Sequence, residues 1–249
     1  MSYGAIKVFA FALVALFVLL VLGCQTFQRS VLFFPSHHSN DNGFTRWVSG
    51  GETIGFAREV ASPGNVWLFL HGNGGQASDR QYAMYAFDAR DSIFILEYPG
   101  YGQRAGTPSR KGFDAAARAG YADLRARFAG KRVCVFGESL GSGPASMLTH
   151  ETPAPDKLVL IVPFDSVKAV GHEKVPWAPS SLLLAGTWDN VEALADWRGP
   201  TEIFGAVNDE VIPVNHARHL AQTIPQAQYH ELQGNHGWAN QPGVAVRCP

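Results

Sequence analysis

Charge is scarce in this chain: 16% of its 249 residues are Asp, Glu, Lys or Arg, and 20 basic side chains against 21 acidic ones leave a formal net charge of -1. No long basic or acidic run occurs. Nothing electrostatic therefore points to nucleic acid or a polyanionic surface as partner, and a neutral or modestly charged small molecule fits better. Cysteine is scarcer still. Cys24, Cys134 and Cys248 sit in unrelated contexts, so no disulfide framework is expected, and Cys134, inside the apolar run Val133–Phe136, reads as a small core hydrophobe. Internal repeats, heptads and low-complexity tracts are lacking, which argues against solenoid and coiled-coil architectures.

What is plentiful is apolar side chain, at 46% of residues. That is enough for one sizeable core, and the length is short for two, so one catalytic-sized domain over residues 27–249 is expected. Residues 1–26 read separately. Ala5–Leu22 is apolar except for Lys7, about long enough to cross a hydrocarbon core as a helix. The segment predicts a membrane or export signal: either a retained single-span anchor or, with Gly23 before Cys24, a lipoprotein signal in which Cys24 is lipidated. Both readings predict a membrane-attached protein, with the catalytic domain on the extracytoplasmic side.

Beyond residue 27, short apolar runs alternate with longer helical stretches, the pattern of a mostly parallel sheet with helices on both faces. The expected core strands are Val66–Leu70, Ser92–Glu97, Arg132–Phe136, Leu158–Val162, Thr201–Gly205 and Gln228–Leu232. Helices are expected at Ser78–Ala89, Gly112–Phe128, Gly141–His150 and Val214–Thr223. Thr45–Val48 and Ile54–Val60 alternate as an antiparallel lead-in hairpin joined at Gly50-Gly51. The segment 165–199 is far longer than an ordinary connection. With Trp177, Trp188, Trp197 and the run Leu182-Leu183-Leu184, it reads either as a small cap over the site or as extra packing.

The strand Arg132–Phe136 runs into Gly137-Glu138-Ser139-Leu140-Gly141, with a helix expected behind it. A G-x-S-x-G string in a strand-turn-helix context is a nucleophile elbow: the serine sits on a strained turn whose neighbours leave no room for side chains. Ser139 is the candidate nucleophile. His71-Gly72-Asn73-Gly74-Gly75 follows the strand Val66–Leu70, where a loop can aim a backbone N–H at a developing oxyanion, so the N–H groups of Asn73 and Leu140 are the candidate oxyanion hole. His71 itself reads as an orienting residue. Nine histidines compete for the general base, and His236, in a glycine-flanked loop past the last strand, is the one placed to reach the elbow. The orienting acid should follow the strand Thr201–Gly205, which selects Asp209, with Asp165 as a fallback.

Together these residues resemble the α/β-hydrolase superfamily, and more narrowly its small membrane-anchored alpha/beta hydrolase domain-containing type. The resemblance runs from about Gln28 to about Trp238. It includes Ser30-Val31-Leu32-Phe33-Phe34-Pro35, Glu97-Tyr98-Pro99-Gly100-Tyr101-Gly102, Gly106-Thr107-Pro108-Ser109 and Pro163-Phe164-Asp165-Ser166. It implies an eight-stranded sheet, an acyl-enzyme mechanism without metal or cofactor, and small ester, thioester or lipid-like substrates. Two departures stand out: Phe204-Gly205 where relatives carry His-Gly, and Gly237-Trp238 followed by Pro242 and Gly243 where relatives form a closing helix. The second could loosen the His236 loop or expose Trp238. A carboxylesterase or lipase-like activity leads, a thioesterase or serine peptidase-like activity comes next, and a non-catalytic binding module is the rival from another class.

Overall fold

Val66–Leu70 is buried at every position, and its side chains alternate between two separate cores: Val66, Leu68 and Leu70 enter one, Trp67 and Phe69 the other. The same division runs along the neighbouring strand, with Val133 and Val135 on one face and Cys134 and Phe136 on the opposite one. A strand covered on both faces must be apolar throughout, and each large side chain so buried contributes about 1.5–3 kcal/mol over its exposed state.

The structure is a computed structural model that describes Gly23, residues 26–239, Gln241 and residues 243–249. Apart from Gly23 and Thr26, the segment read as an anchor or lipoprotein signal, with Cys24, lies outside the described residues. Among the described residues, no helix is long and apolar enough to cross a membrane.

Eight strands form the main sheet: β1 (Thr45–Ser49), β2 (Glu52–Arg58), β3 (Val66–Leu70), β4 (Ser92–Leu96), β5 (Val133–Glu138), β6 (Leu158–Ile161), β7 (Thr201–Ala206) and β8 (Ala227–Leu232). Their spatial order is β1-β2-β4-β3-β5-β6-β7-β8. β1 and β2 form the expected hairpin, turning through Gly50 and Gly51 at φ +59° and +84°, and β2 also runs antiparallel to β4. All remaining pairings are parallel. This is the mostly parallel sheet anticipated from the alternating pattern, in the eight-stranded α/β-hydrolase arrangement that the resemblance implied.

Regular helices are α1 (Arg110–Arg127), α2 (Ser142–Met147), α3 (Val167–Lys174), α4 (Ser180–Leu183), α5 (Asn190–Ala193) and α6 (Val214–Thr223). α1 starts where the Ser109 hydroxyl accepts the Gly112 N–H at 3.1 Å, a side-chain cap for an otherwise unpaired donor. Two expected helices are less regular. Ser78–Ala89 is instead a run of 3-10 turns over Ala77–Ala86, interrupted at Arg80, whose side chain turns inward to a buried carboxylate described below. Gly141–His150 is α-helical only over α2, with 3-10 turns at both ends.

The cysteine reading needs correction. Cys134 is buried in the core, but it is disulfide-bonded to Cys248, with Cα atoms 6.0 Å apart across a sequence separation of 114. The C-terminal tail returns beneath the sheet, burying Val244 and Val246 in the core that also holds Cys134, while the Val246 N–H donates to the Ala86 carbonyl. A pairing made by a returning tail leaves no trace in local spacing.

Candidate active site

The elbow is built by crowding. β5 leads through Gly137 and Glu138 into Ser139, which has φ +51°, the left-handed region that costs a side-chain-bearing residue about 1–2 kcal/mol. A Cβ on Gly137 would stand 2.7 Å from the Ala145 Cβ, and one on Gly141 would stand 2.1 Å from the Leu70 carbonyl oxygen. The glycines let α2 and the end of β3 close around the turn, holding the strained serine in place.

The structure brings Ser139, His236 and Asp209 together. His236 Nε2 lies 2.9 Å from Ser139 Oγ, and His236 Nδ1 lies 2.7 Å from Asp209 Oδ2. Asp209 is aimed by its own turn: Oδ1 accepts the N–H groups of Val211 at 2.8 Å and Ile212 at 2.7 Å, leaving Oδ2 for the imidazole. Extensions of the β7–β8 pairing, Val207 N–H to Leu232 O and Asn208 N–H to Gly234 O, lock the acid turn to the histidine loop. With Nδ1–H donating to the carboxylate, Nε2 presents its lone pair to the serine hydroxyl.

The loop His71–Gly75 is held largely by its carbonyls. The Tyr98 hydroxyl donates to His71 O at 3.0 Å, and the Tyr101 hydroxyl to Asn73 O at 2.8 Å. The Phe34 N–H also donates to Asn73 O, and the Arg80 guanidinium reaches Gly74 O. Phe34–Pro35 forms a two-residue parallel bridge with Gly74–Gly75. The motifs Ser30–Pro35 and Glu97–Gly102 thus act as straps on the loop that carries Asn73, and Asn73 and Leu140 line the same cavity as Ser139. His71 is buried and keeps its Nδ1 2.8 Å from the Gly72 carbonyl, as an orienting residue would.

That cavity measures about 530 Å³ and is walled mainly by apolar side chains, among them Phe164, Val170, Leu184 and Ile212. Its roof comes from the 165–199 segment, which both caps and packs. α3 and α4 contribute lining, and Trp177 stands 87% exposed at the rim. Trp188 and Trp197 are buried, with the Trp188 indole donating to Asp114 at 2.8 Å. Residues 26–32 are helical and supply Phe27 and Val31 to the cavity, tied to the roof by Gln28 Nε2 donating to Leu183 O and Ala185 O.

A model of the Alpha/beta hydrolase family matches residues 67–248. The chain belongs to the alpha/beta hydrolase family. Among relatives of this hydrolase, an uncharacterized protein of Mycobacterium tuberculosis is 29% identical over 235 residues, covering 85% of this chain and 82% of that one. The lysophosphatidylserine lipase ABHD12 of Macaca fascicularis is 31% identical over 129 residues, or 49% of this chain and 32% of that lipase. In solved structures the fold is shared with an esterase of Pyrococcus furiosus, at a TM-score of 0.61 and 14% identity, covering 83% of this chain and 90% of that one.

Several parts of the hydrolase's site escaped sequence reasoning. Asp165, the fallback acid, does not meet His236: its two oxygens take His216 Nδ1 and His219 Nδ1, each at 2.8 Å. Burial works against its ionised form, yet the two histidines and the Ser166 N–H hold its carboxyl below the usual range. Trp238 is neither exposed nor loose. It is 1% exposed, and its indole N–H donates to Glu138 Oε1 at 2.8 Å. Glu138, Arg80, Tyr82 and Trp238 form a buried polar group whose one legible signal was a charged residue at the variable position before the elbow serine.

Proposed function

We propose that this alpha/beta hydrolase is a serine esterase that cleaves carboxylic esters of apolar acyl chains through an acyl-enzyme. The observation that carries the reading is the hydrogen-bonded series Ser139 Oγ, His236 Nε2, His236 Nδ1, Asp209 Oδ2, at 2.9 and 2.7 Å, opening on an apolar cavity. Ser139 Oγ attacks the ester carbonyl carbon as its proton passes to His236 Nε2. The carbonyl π electrons move to the oxygen, where the N–H groups of Asn73 and Leu140 stabilise the charge. Collapse of the tetrahedral species expels the alcohol, which takes the proton from His236. Water then gives a proton to His236 and attacks the acyl carbon, releasing the acid and restoring Ser139. Asp209 keeps the imidazole in the tautomer that accepts at Nε2.

A lipid-like ester, or a thioester with the same acyl group, suits this cavity better than a peptide, because its walls offer few polar partners for a peptide backbone. The similarity to a lysophosphatidylserine lipase points the same way. Membrane attachment through the apolar run Ala5–Leu22 would bring Phe27, Val31 and exposed Trp177 at the cavity rim close to the bilayer. The Cys134–Cys248 bond favours an oxidising, extracytoplasmic setting. The test is hydrolysis of p-nitrophenyl esters from acetyl to long-chain acyl, with a fluorophosphonate probe, by wild type and Ser139→Ala. Turnover and labelling are expected to require Ser139, with preference rising with chain length; a folded wild type that does neither would leave a binding module as the better reading.

A further inference from the structure

Glu138 stands between Gly137 and Ser139, where the elbow motif places no demand on residue type. Its carboxylate is nonetheless buried and surrounded by donors from three other segments. Oε2 accepts the Gly72 N–H at 3.1 Å and forms an ion pair with Arg80 Nε at 3.6 Å. Oε1 accepts the Trp238 indole N–H at 2.8 Å and the Tyr82 hydroxyl. Gly72 is adjacent to Asn73. The Trp238 backbone N–H donates to the His236 carbonyl at 3.0 Å, so the second arm of the network ends on the base loop. A Cβ on Gly72 would come 3.4 Å from the Ser139 Cβ and 3.6 Å from Glu138 Oε2, which shows how closely this loop passes between serine and carboxylate.

We propose that Glu138 is a positioning residue, whose carboxylate sets the distance of the oxyanion loop and of the His236 loop from Ser139 at once. The proposal rests on the serine-esterase reading and deepens it. Three hydrogen-bond donors and the Arg80 guanidinium converge on one side chain, and only an ionised carboxylate can accept from all three while pairing with the cation. Burial opposes that charge, but Arg80, Tyr82, Trp238 and the Gly72 N–H outweigh it and keep the carboxyl below the ordinary value. A carboxamide must turn its NH2 toward either Gly72 or Trp238, setting donor against donor, and it strips buried Arg80 of its counter-charge.

The test compares wild type with Glu138→Gln, Trp238→Phe, their double variant, Tyr82→Phe and Ser139→Ala, by p-nitrophenyl butyrate kinetics and thermal melting. A misplacement on the scale of one ångström costs about 10²-fold, so Glu138→Gln should lower kcat by roughly 30- to 300-fold with KM within about threefold, while melting stays cooperative. Trp238→Phe, which keeps an aromatic ring but loses the indole N–H and part of the ring bulk packed on Tyr82 and Phe136, should cost about 3- to 10-fold in kcat, and the double variant should fall within about twofold of Glu138→Gln, because the N–H acts through that one carboxylate. A folded Glu138→Gln with kcat within about twofold of wild type, or effects that multiply independently, would overturn the proposal. Should Glu138→Gln fail to fold, Trp238→Phe and Tyr82→Phe decide it: unchanged kcat in both overturns it. Wild-type turnover by Ser139→Ala would instead sink the esterase reading beneath it, an outcome distinct from a Ser139-dependent enzyme indifferent to Glu138.

Discussion

Among the histidines that rest on aspartates in this molecule, His236 and His216 are both held through Nδ1, and of these two only His236 faces a serine. His236 Nδ1 is 2.7 Å from Asp209, and His216 Nδ1 is 2.8 Å from Asp165. The difference lies at the other ring nitrogen. His236 Nε2 meets Ser139 Oγ at 2.9 Å, whereas His216 Nε2 lies 3.0 Å from the Glu173 carboxylate, close enough for an ion pair though angled off a straight hydrogen bond. The first arrangement can pass a proton from a hydroxyl. The second has carboxylates at both nitrogens and serves as a clasp, joining α6, which carries His216, to α3 and the strand end that carries Asp165. Lys174 at the end of α3 also reaches the Glu210 carbonyl beside Asp209, so the clasp anchors the cavity roof to the acid turn. A His–Asp contact is therefore no signature of catalysis until the remaining nitrogen's partner is known.

The sharpest break of the comparison exchanges the consequences of removing each histidine. His236→Ala should lower kcat by at least about 10³-fold with melting nearly unchanged. His216→Ala should leave kcat within about fivefold while costing about 1–3 kcal/mol of stability, since Asp165 and Glu173 lose their shared partner; ester kinetics and denaturant unfolding read both. Next in size, Asp209→Asn should cost about 10²- to 10⁴-fold in kcat by freeing the wrong tautomer. Asp165→Asn should cost less than about tenfold, with the larger effect on unfolding.

A smaller effect follows from protonation of the clasp. Burial would lower the His216 pKa, but Asp165 and Glu173 outweigh it and raise it above the ordinary 6.5. A group so raised on folding stabilises fully below the unfolded value and loses that contribution as pH rises through the folded one. Asp165, held below its ordinary 3.8, behaves oppositely: its contribution is present above that value and is lost as pH falls through the folded one. The melting-temperature gap between wild type and His216→Ala should therefore be widest in mildly acidic buffer and shrink toward alkaline pH; a gap that widened instead would count against the clasp. The smallest change is expected at the rim of the roof. Trp177→Ala should alter stability by no more than about 0.5 kcal/mol, because the side chain is 87% exposed, while raising KM for long-chain esters more than for acetyl esters.

Most of the fold was legible because its signals are local. Val66–Leu70 and Leu158–Ile161 declare themselves as strands covered on both faces, Gly50-Gly51 as a turn with positive φ, and Gly137 to Gly141 as an elbow. The positions of Ser139, His236 and Asp209 followed from chain order along such a sheet. The pairing of Cys134 with Cys248, the inward turn of Arg80, the burial of Trp238 and the separate fates of Trp177 and Trp188 were not legible. Each depends on which distant segment covers a given face, and nothing in a five-residue window records that.

The amino-acid sequence by itself determined the strand and helix alternation, the strained serine turn and the order of the reacting groups, because backbone periodicity, glycine and chain order act over short range. Only the tertiary structure decided which histidines clasp Asp165, which carboxylate gathers the loops around the serine and which cysteine meets the returning tail, because those outcomes depend on contacts among segments tens to more than a hundred residues apart.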